Sequence, residues 1–215
     1  MATSAVSVDP LDDAPDAAGI DEGVILSYPP DRPDQGTLVL GAQARLRTGT
    51  VLYAGSTIGA RFSTGHHVVI REGCHVGDDV SVWSGSVIDY GCHLGDRVKV
   101  HSNCYVSQFS RIEDDAFLAP GVCLANDLYP GSAHSAENMR GPLIGRGAQL
   151  GVNVTVLPYV RIGAGAIVGA GSVVVHDIPD GVVAVGSPAR PVGSVPDADT
   201  IAARVQYASS RAGQR

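Results

Sequence analysis

Glu72, Tyr90, Gln108 and Asn126 stand 18 residues apart along the chain. A carboxylate, a phenol and two carboxamides on one line offer donors and acceptors to a sugar or a nucleotide. A solvated face with no ligand would show the same pattern. Asn126 is followed by Asp127, and both open a polar stretch, so Asn126 is the candidate for positioning a reacting group and Asp127 for holding a substrate. His101 and His134 are the candidate general bases, because imidazole is the usual proton acceptor when an alcohol must be activated. A neutral amine needs no such base, and binding and orientation then supply much of the rate. His75, His93 and Arg111 form a second 18-residue line. It could meet a phosphate, although exposed corner residues are the simpler explanation.

The interval of 18 is three times a shorter one. From Leu40 in steps of six to Leu124, fourteen of fifteen positions are Leu, Ile or Val, the exception being Thr64. Four residues after each anchor runs a second series of mostly small residues, from Ala44 and Thr50 to Ala116 and Val122, in which only Phe62 is bulky. Phe62 beside Thr64 reads as volume compensation within one layer. A period of six fits neither a helix at 3.6 nor a strand at 2. It fits a short strand, a corner and another short strand, so that three hexapeptides close a triangular coil. Anchors 18 apart then stack at the parallel-strand spacing of roughly 4.8 Å. Gly41, Gly59, Gly65, Gly77 and Gly95 beside the anchors suit corners where a side chain would clash or φ must be unusual.

The register breaks after Leu124 and returns at Ile144, continuing through Val174. The chain is therefore expected to be an all-β solenoid of about seven triangular coils over residues 24–193, with residues 127–142 leaving it as a loop. Residues 194–215 are expected to hold a short helix near 199–209, capped by Asp197 or Asp199 and covering the open end of the solenoid.

Residues 1–22 carry six of the chain's acidic groups and no Lys or Arg, so most of the formal charge of -7 lies there. Residues 1–23 read as a flexible acidic tail. The near-neutral remainder argues against nucleic-acid binding, which needs a basic face. With no cationic-then-apolar opening and no apolar run of membrane-spanning length, a soluble cytoplasmic protein is expected. Cys74, Cys92 and Cys104 fall on inward positions with Cys123 beside the core, and free thiols are expected.

The repeat, the loop, the run IGAGAIVGAGSVV at 162–174 and the closing VGSPARPV at 185–192 resemble the left-handed β-helix hexapeptide-repeat acyltransferases. The left hand comes from that resemblance alone. The segments VKVHSNCYV, LANDLYPG and RGAQLGVNVTVLPYVRIG are most similar to the N-acetyltransferases that act on amino-sugar nucleotides. The resemblance implies an enzyme that moves an acetyl group from acetyl-CoA to the amine of a sugar nucleotide, acting as a homotrimer. It further implies that main-chain groups at Gly169, Ala170 and Gly171 line the pantetheine arm, and that Arg190 meets CoA phosphates. The serine and sugar O-acetyltransferases carry a His near the strand end that here reads Ala125-Asn126-Asp127. O-acetylation of an alcohol is thus the alternative, and a non-enzymatic scaffold a third. The γ-class carbonic anhydrases share the implied fold, but their zinc needs a histidine pair five apart that this chain lacks, so no metal is expected.

Overall fold

In the computed structural model, residues 7–8, 19–32 and 36–212 are described. They form a prism of about eight left-handed coils with three parallel sheets for faces. The first face runs from Ser7–Val8 and Val39–Leu40 to Arg161–Ile162. The second runs from Gly19–Ile20 and Arg45–Leu46 through Ile167–Val168 to Val182–Val185 and Arg190–Ser194. The third runs from Ile25–Tyr28 to Val173–Val174. Register follows the repeat: His75 pairs with His93 and Val76 with Leu94.

The anchor series fills the core, with Leu40, Leu46, Leu52, Ile58, Ile70 and Ile88 all buried. Phe62 is fully buried, and Thr64 sets its hydroxyl 2.9 Å from that of Thr50, so the smaller anchor costs no unpaired polar group. The polar members of the small series have a common task. Ser56, Cys74, Ser86, Cys92 and Cys104 each donate to the backbone carbonyl fifteen residues on, at Arg71, Asp89, His101, Ser107 and Ala119. Those carbonyls lie at corners, where the parallel ladder is interrupted, and the inward hydroxyl or thiol satisfies them. All four cysteines are free thiols.

The two reasons for a corner glycine fall on different residues. Gly59 does not have positive φ; a Cβ there would lie 2.6 Å from the Gly77 carbonyl carbon on the next coil. Left-handed backbone instead recurs three residues after the anchors, at Gln43, Gly49, Gly55 and Arg61, and onward to Gly171, with a break at the loop after Leu124.

Three expectations are corrected. Gly19–Ile20, assigned by composition to the acidic tail of residues 1–23, pairs with Arg45–Leu46. The Asp21 carboxylate accepts from the Arg47 side chain and the Thr48 N–H, so the charge that suggested a tail helps fix the first coil. That first coil accounts for the eighth turn; it lacks hexapeptide spacing because the strand after Ile25–Tyr28 begins only at Val39. The rest of that acidic segment, apart from Ser7–Val8, lies outside the described residues. The helix Ala198–Ala212 does form, and Asp197 caps it by accepting from the Thr200 N–H at 2.7 Å. It does not cover the solenoid's end, since Ile201 and Val205 are exposed. The antiparallel pair Val182–Val185 and Arg190–Ser194 extends the second face there instead.

Candidate functional site

The third face meets the first along an edge that carries Glu72, Tyr90, Gln108 and Asn126, one per coil. Of these four, Tyr90, Gln108 and Asn126 are half-buried, whereas Glu72 is only 1% exposed. Glu72 is thus the one member of the line that solvent hardly reaches. Its carboxylate turns back to Arg71, with Nε–Oε2 at 2.8 Å and a second bond at 3.0 Å, and Arg32 lies 3.6 Å away. Burial pushes the Glu72 carboxyl up, but the Arg71 hydrogen bonds and charge outweigh it and hold it below the usual range. The Arg32 guanidinium also sits 3.2 Å over the Tyr90 ring, whose other contact is the edge of Phe109.

Further along the edge the polar groups join in a chain. Gln108 Oε1 accepts from Asn126 Nδ2 at 2.5 Å, and Gln108 Nε2 donates to Asp89 Oδ2 at 2.5 Å. Tyr105 also donates its hydroxyl to Asp89 at 2.7 Å. Burial, followed by this hydrogen bond, keeps the Tyr105 phenol well above its ordinary value. Asp89 and Tyr105 were not singled out from the sequence. Asp89 falls one residue after an anchor, a position otherwise taken by varied residues, so only its three-dimensional partners reveal it.

The loop leaves immediately after this edge. Its neck is closed by the Arg140 N–H donating to the Asn126 carbonyl at 2.8 Å. Asp127 faces the loop: Oδ1 accepts from the Tyr129 N–H at 2.9 Å and Oδ2 from the Ser135 hydroxyl. Tyr159, returning from the next coil, donates its hydroxyl to the Asn138 carbonyl. Asp127, Ser135, Asn138 and Tyr159, with Leu128, Tyr129 and Ser132, line a cavity of about 240 Å³ next to the loop neck. A larger cleft of about 680 Å³ lies on the second face, along Arg97, Lys99, Phe117 and Gln149. Arg97 there is paired to Asp115 at 2.7 Å, and the loop cavity is the one that adjoins the candidate residues.

The structure places His101 on a different edge from Asn126 and His134 on the loop that leaves from Asn126. His101 lies on the edge between second and third faces, stacked on Trp83 at 4.2 Å with Phe117 on its other flank. His134 is 75% exposed on the loop, with Nδ1 3.4 Å from Glu137. Gly169, Ala170 and Gly171 share the edge of His101, several coils further on. The N–H groups of Gly169 and Gly171 are engaged inside the prism, at Ala184 and Val152, and Arg190 is exposed with one guanidinium nitrogen on the Ala189 carbonyl. His75 and His93 stack at 4.7 Å on the outside of the first face, above Arg111 in register.

Family comparisons agree with the architecture. Residues 141–176 match the bacterial transferase hexapeptide model of six repeats, and residues 74–108 the hexapeptide repeat of succinyl-transferase. Both segments are hexapeptide repeats of the transferase kind, and they and the fold support the left-handed β-helix superfamily of hexapeptide-repeat acyltransferases. Within that superfamily it is 38% identical over 88 residues to serine acetyltransferase 4 of Arabidopsis thaliana, across 41% of this chain and 25% of that protein. It is 35% identical over 94 residues to galactoside O-acetyltransferase of Escherichia coli, across 41% of this chain and 45% of that protein. The matched stretch thus spans less than half the length of either relative. A crystal structure of a Bacillus cereus protein classed as an acetyltransferase superposes with a TM-score of 0.52 at 22% identity, over 81% of this chain and 95% of that one; this likeness shows the fold.

Proposed function

We propose that the protein transfers an acetyl group from acetyl-CoA to the amino group of a sugar nucleotide. Acetyl transfer is supported by the superfamily and by relatives named for that activity. The amine is supported by one observation: the strand end at the loop neck presents Asn126, held by Gln108, and His101 stands on another edge. Attack of the amine nitrogen on the thioester forms the C–N bond and breaks the C–S bond. The CoA sulfur leaves and the surplus amine proton goes to solvent. The Asn126 carboxamide orients the nucleophile, and the loop cavity shields it from water.

The residues proposed to hold CoA, Gly169, Ala170, Gly171 and Arg190, lie on a different edge from Asn126. One prism alone therefore does not bring donor and acceptor together. A homotrimer that sets this edge of one chain against the loop edge of its neighbour does, and it accounts for the separation of the two residue sets. The same assembly would carry His101 of one chain toward a neighbour's Asn126. That arrangement, together with the relatives named as O-acetyltransferases, supports O-acetylation of an alcohol as the second reading.

The test is a panel of amino-sugar nucleotides and matched alcohols with acetyl-CoA, followed by thiol release. Turnover of an amine that survives substitution of both His101 and His134 is expected. Turnover of alcohols alone would replace the first reading with the second.

A further inference from the structure

Asp89 belongs to neither the core nor the candidate residues read from the sequence, yet it is a carboxylate only 7% exposed. It has three donors: the Tyr90 N–H on Oδ1 at 2.8 Å, with the Tyr105 hydroxyl and Gln108 Nε2 on Oδ2. A carboxylate only accepts hydrogen bonds, whereas a carboxamide has one accepting and one donating end. Gln108 must therefore turn its NH2 toward Asp89, because its oxygen at 2.5 Å from Oδ2 would set two acceptors against each other. Its Oε1 is then committed to the other side, where it accepts from Asn126 Nδ2. Asn126 in turn is left with its Oδ1 at the end of the row. Each orientation dictates the next, and the direction is set by the one group that cannot reverse.

We propose that Asp89 is a positioning residue that fixes the polarity of the Gln108–Asn126 pair, so that Asn126 offers the acceptor substrate a carbonyl oxygen rather than an NH2. This rests on the reading that the acceptor is bound at Asn126, and it sharpens that reading. The group met there must carry a hydrogen to donate, as an amine or hydroxyl does. A carboxylate or carbonyl facing that oxygen would set two acceptors against each other.

Asp89→Asn tests the idea because it supplies the opposite instruction. The amide oxygen of Asn at this position stays with the Tyr90 N–H, a main-chain donor that cannot turn. Its NH2 then faces Gln108, while the Tyr105 hydroxyl rotates to accept. Gln108 and Asn126 turn over in sequence, and Asn126 presents a donor. The expected result is a fall of about ten- to a hundredfold in kcat/KM for the acceptor, a factor of ten corresponding to 1.4 kcal/mol, with KM for acetyl-CoA unchanged. In the Asn126→Ala background the same substitution is expected to have no further effect. An equal fold-loss in both backgrounds would mean that Asp89 acts on structure alone and would overturn the proposal.

A second measurement is independent of turnover. In protein labelled with 15N-asparagine, the Asn126 side-chain NH2 pair, assigned by its loss in Asn126→Ala, has one proton bonded to Gln108. D89N is expected to shift that pair toward the position of free amides. An unchanged signal refutes the relay even if no acceptor has been found; a moved signal without acetylation of any amine supports the relay and counts against the proposed reaction. If D89N fails to fold, Asp89→Ser removes the imposed direction in a smaller side chain. It should split or broaden the Asn126 signal, and a single unshifted pair would again refute the proposal.

Discussion

Arg71 and Glu72 are neighbours in sequence and partners in space, their two hydrogen bonds measuring 2.8 and 3.0 Å around a carboxylate that solvent hardly reaches. Removing Arg71 takes away both hydrogen bonds and leaves only Arg32, 3.6 Å away, as a counter-charge, so Arg71→Met should cost about 1–3 kcal/mol of stability. Chemical denaturation checks the value, and the double variant Arg71→Met with Glu72→Gln should recover much of it.

The same carboxyl gives a pH signature. Burial pushes Glu72 up, but Arg71 brings it below its ordinary value, so the folded state binds the proton less readily than the unfolded chain. Its contribution is therefore full above the unfolded pKa of about 4.3 and is lost as pH falls through the folded value. Thermal melts of wild type and Glu72→Gln should diverge at neutral pH and converge in acid. Parallel curves would show that the pair carries no pH-dependent stability.

His93 has the same sign through a different cause. Partial burial, then the charges of His75 and Arg111, lower its pKa, so the folded protein resists protonating it. Stability should be retained above about pH 6.5 and decline as pH falls below that. In His93→Gln the melting temperature should vary less between about pH 5 and 7.

Asp127 holds the loop through its two oxygens, which serve Tyr129 and Ser135, and it also lines the loop cavity. Asp127→Ala should loosen residues 128–138 without melting the prism, whose ladders do not depend on it. Limited proteolysis should cut there several-fold faster while the main unfolding transition stays within a degree or two. If the acceptor occupies the loop cavity, its KM should rise with kcat less affected.

Much of this molecule is legible in the sequence because a repeat converts spacing into position. Leu40 to Leu124 at intervals of six gives the faces, the core and the stacking of Gln108 on Asn126 without further information. Three kinds of feature escape it. Glu72 occupies an outward register position yet is shut off from solvent, because the neighbouring Arg71 and Arg32 make burial of its charge tolerable. Gly19–Ile20 joins the prism although its composition is that of a tail, since pairing to Arg45–Leu46 needs backbone groups rather than hydrophobic spacing. Asp89 matters through Tyr105 and Gln108, on the next coil, and a one-dimensional pattern does not distinguish it from any other corner residue.

The corner glycines provide a direct test of that boundary between pattern and geometry. Gly59 is required for space: its added Cβ would stand 2.4 Å from the Asp78 carboxylate and 2.6 Å from the Gly77 backbone. A side-chain end can swing away, but the backbone of a neighbouring coil is pinned by ladder bonds such as Gly59 N to Val76 O at 2.8 Å. Gly59→Ala should therefore destabilise the prism by about 1–3 kcal/mol, as overpacking does. Gly147 is required for conformation instead, with φ of +64° and nothing within 4 Å of an added Cβ. Asn adopts that backbone more readily than other side chains, as Asn103 and Asn153 already do at equivalent corners. Gly147→Asn should change stability by no more than about 0.5 kcal/mol, whereas Gly147→Val should cost more through backbone strain alone. Denaturant midpoints for the three variants decide the matter: equal losses for Gly59→Ala and Gly147→Asn would mean that close coil contact and left-handed backbone are not separate constraints at these corners.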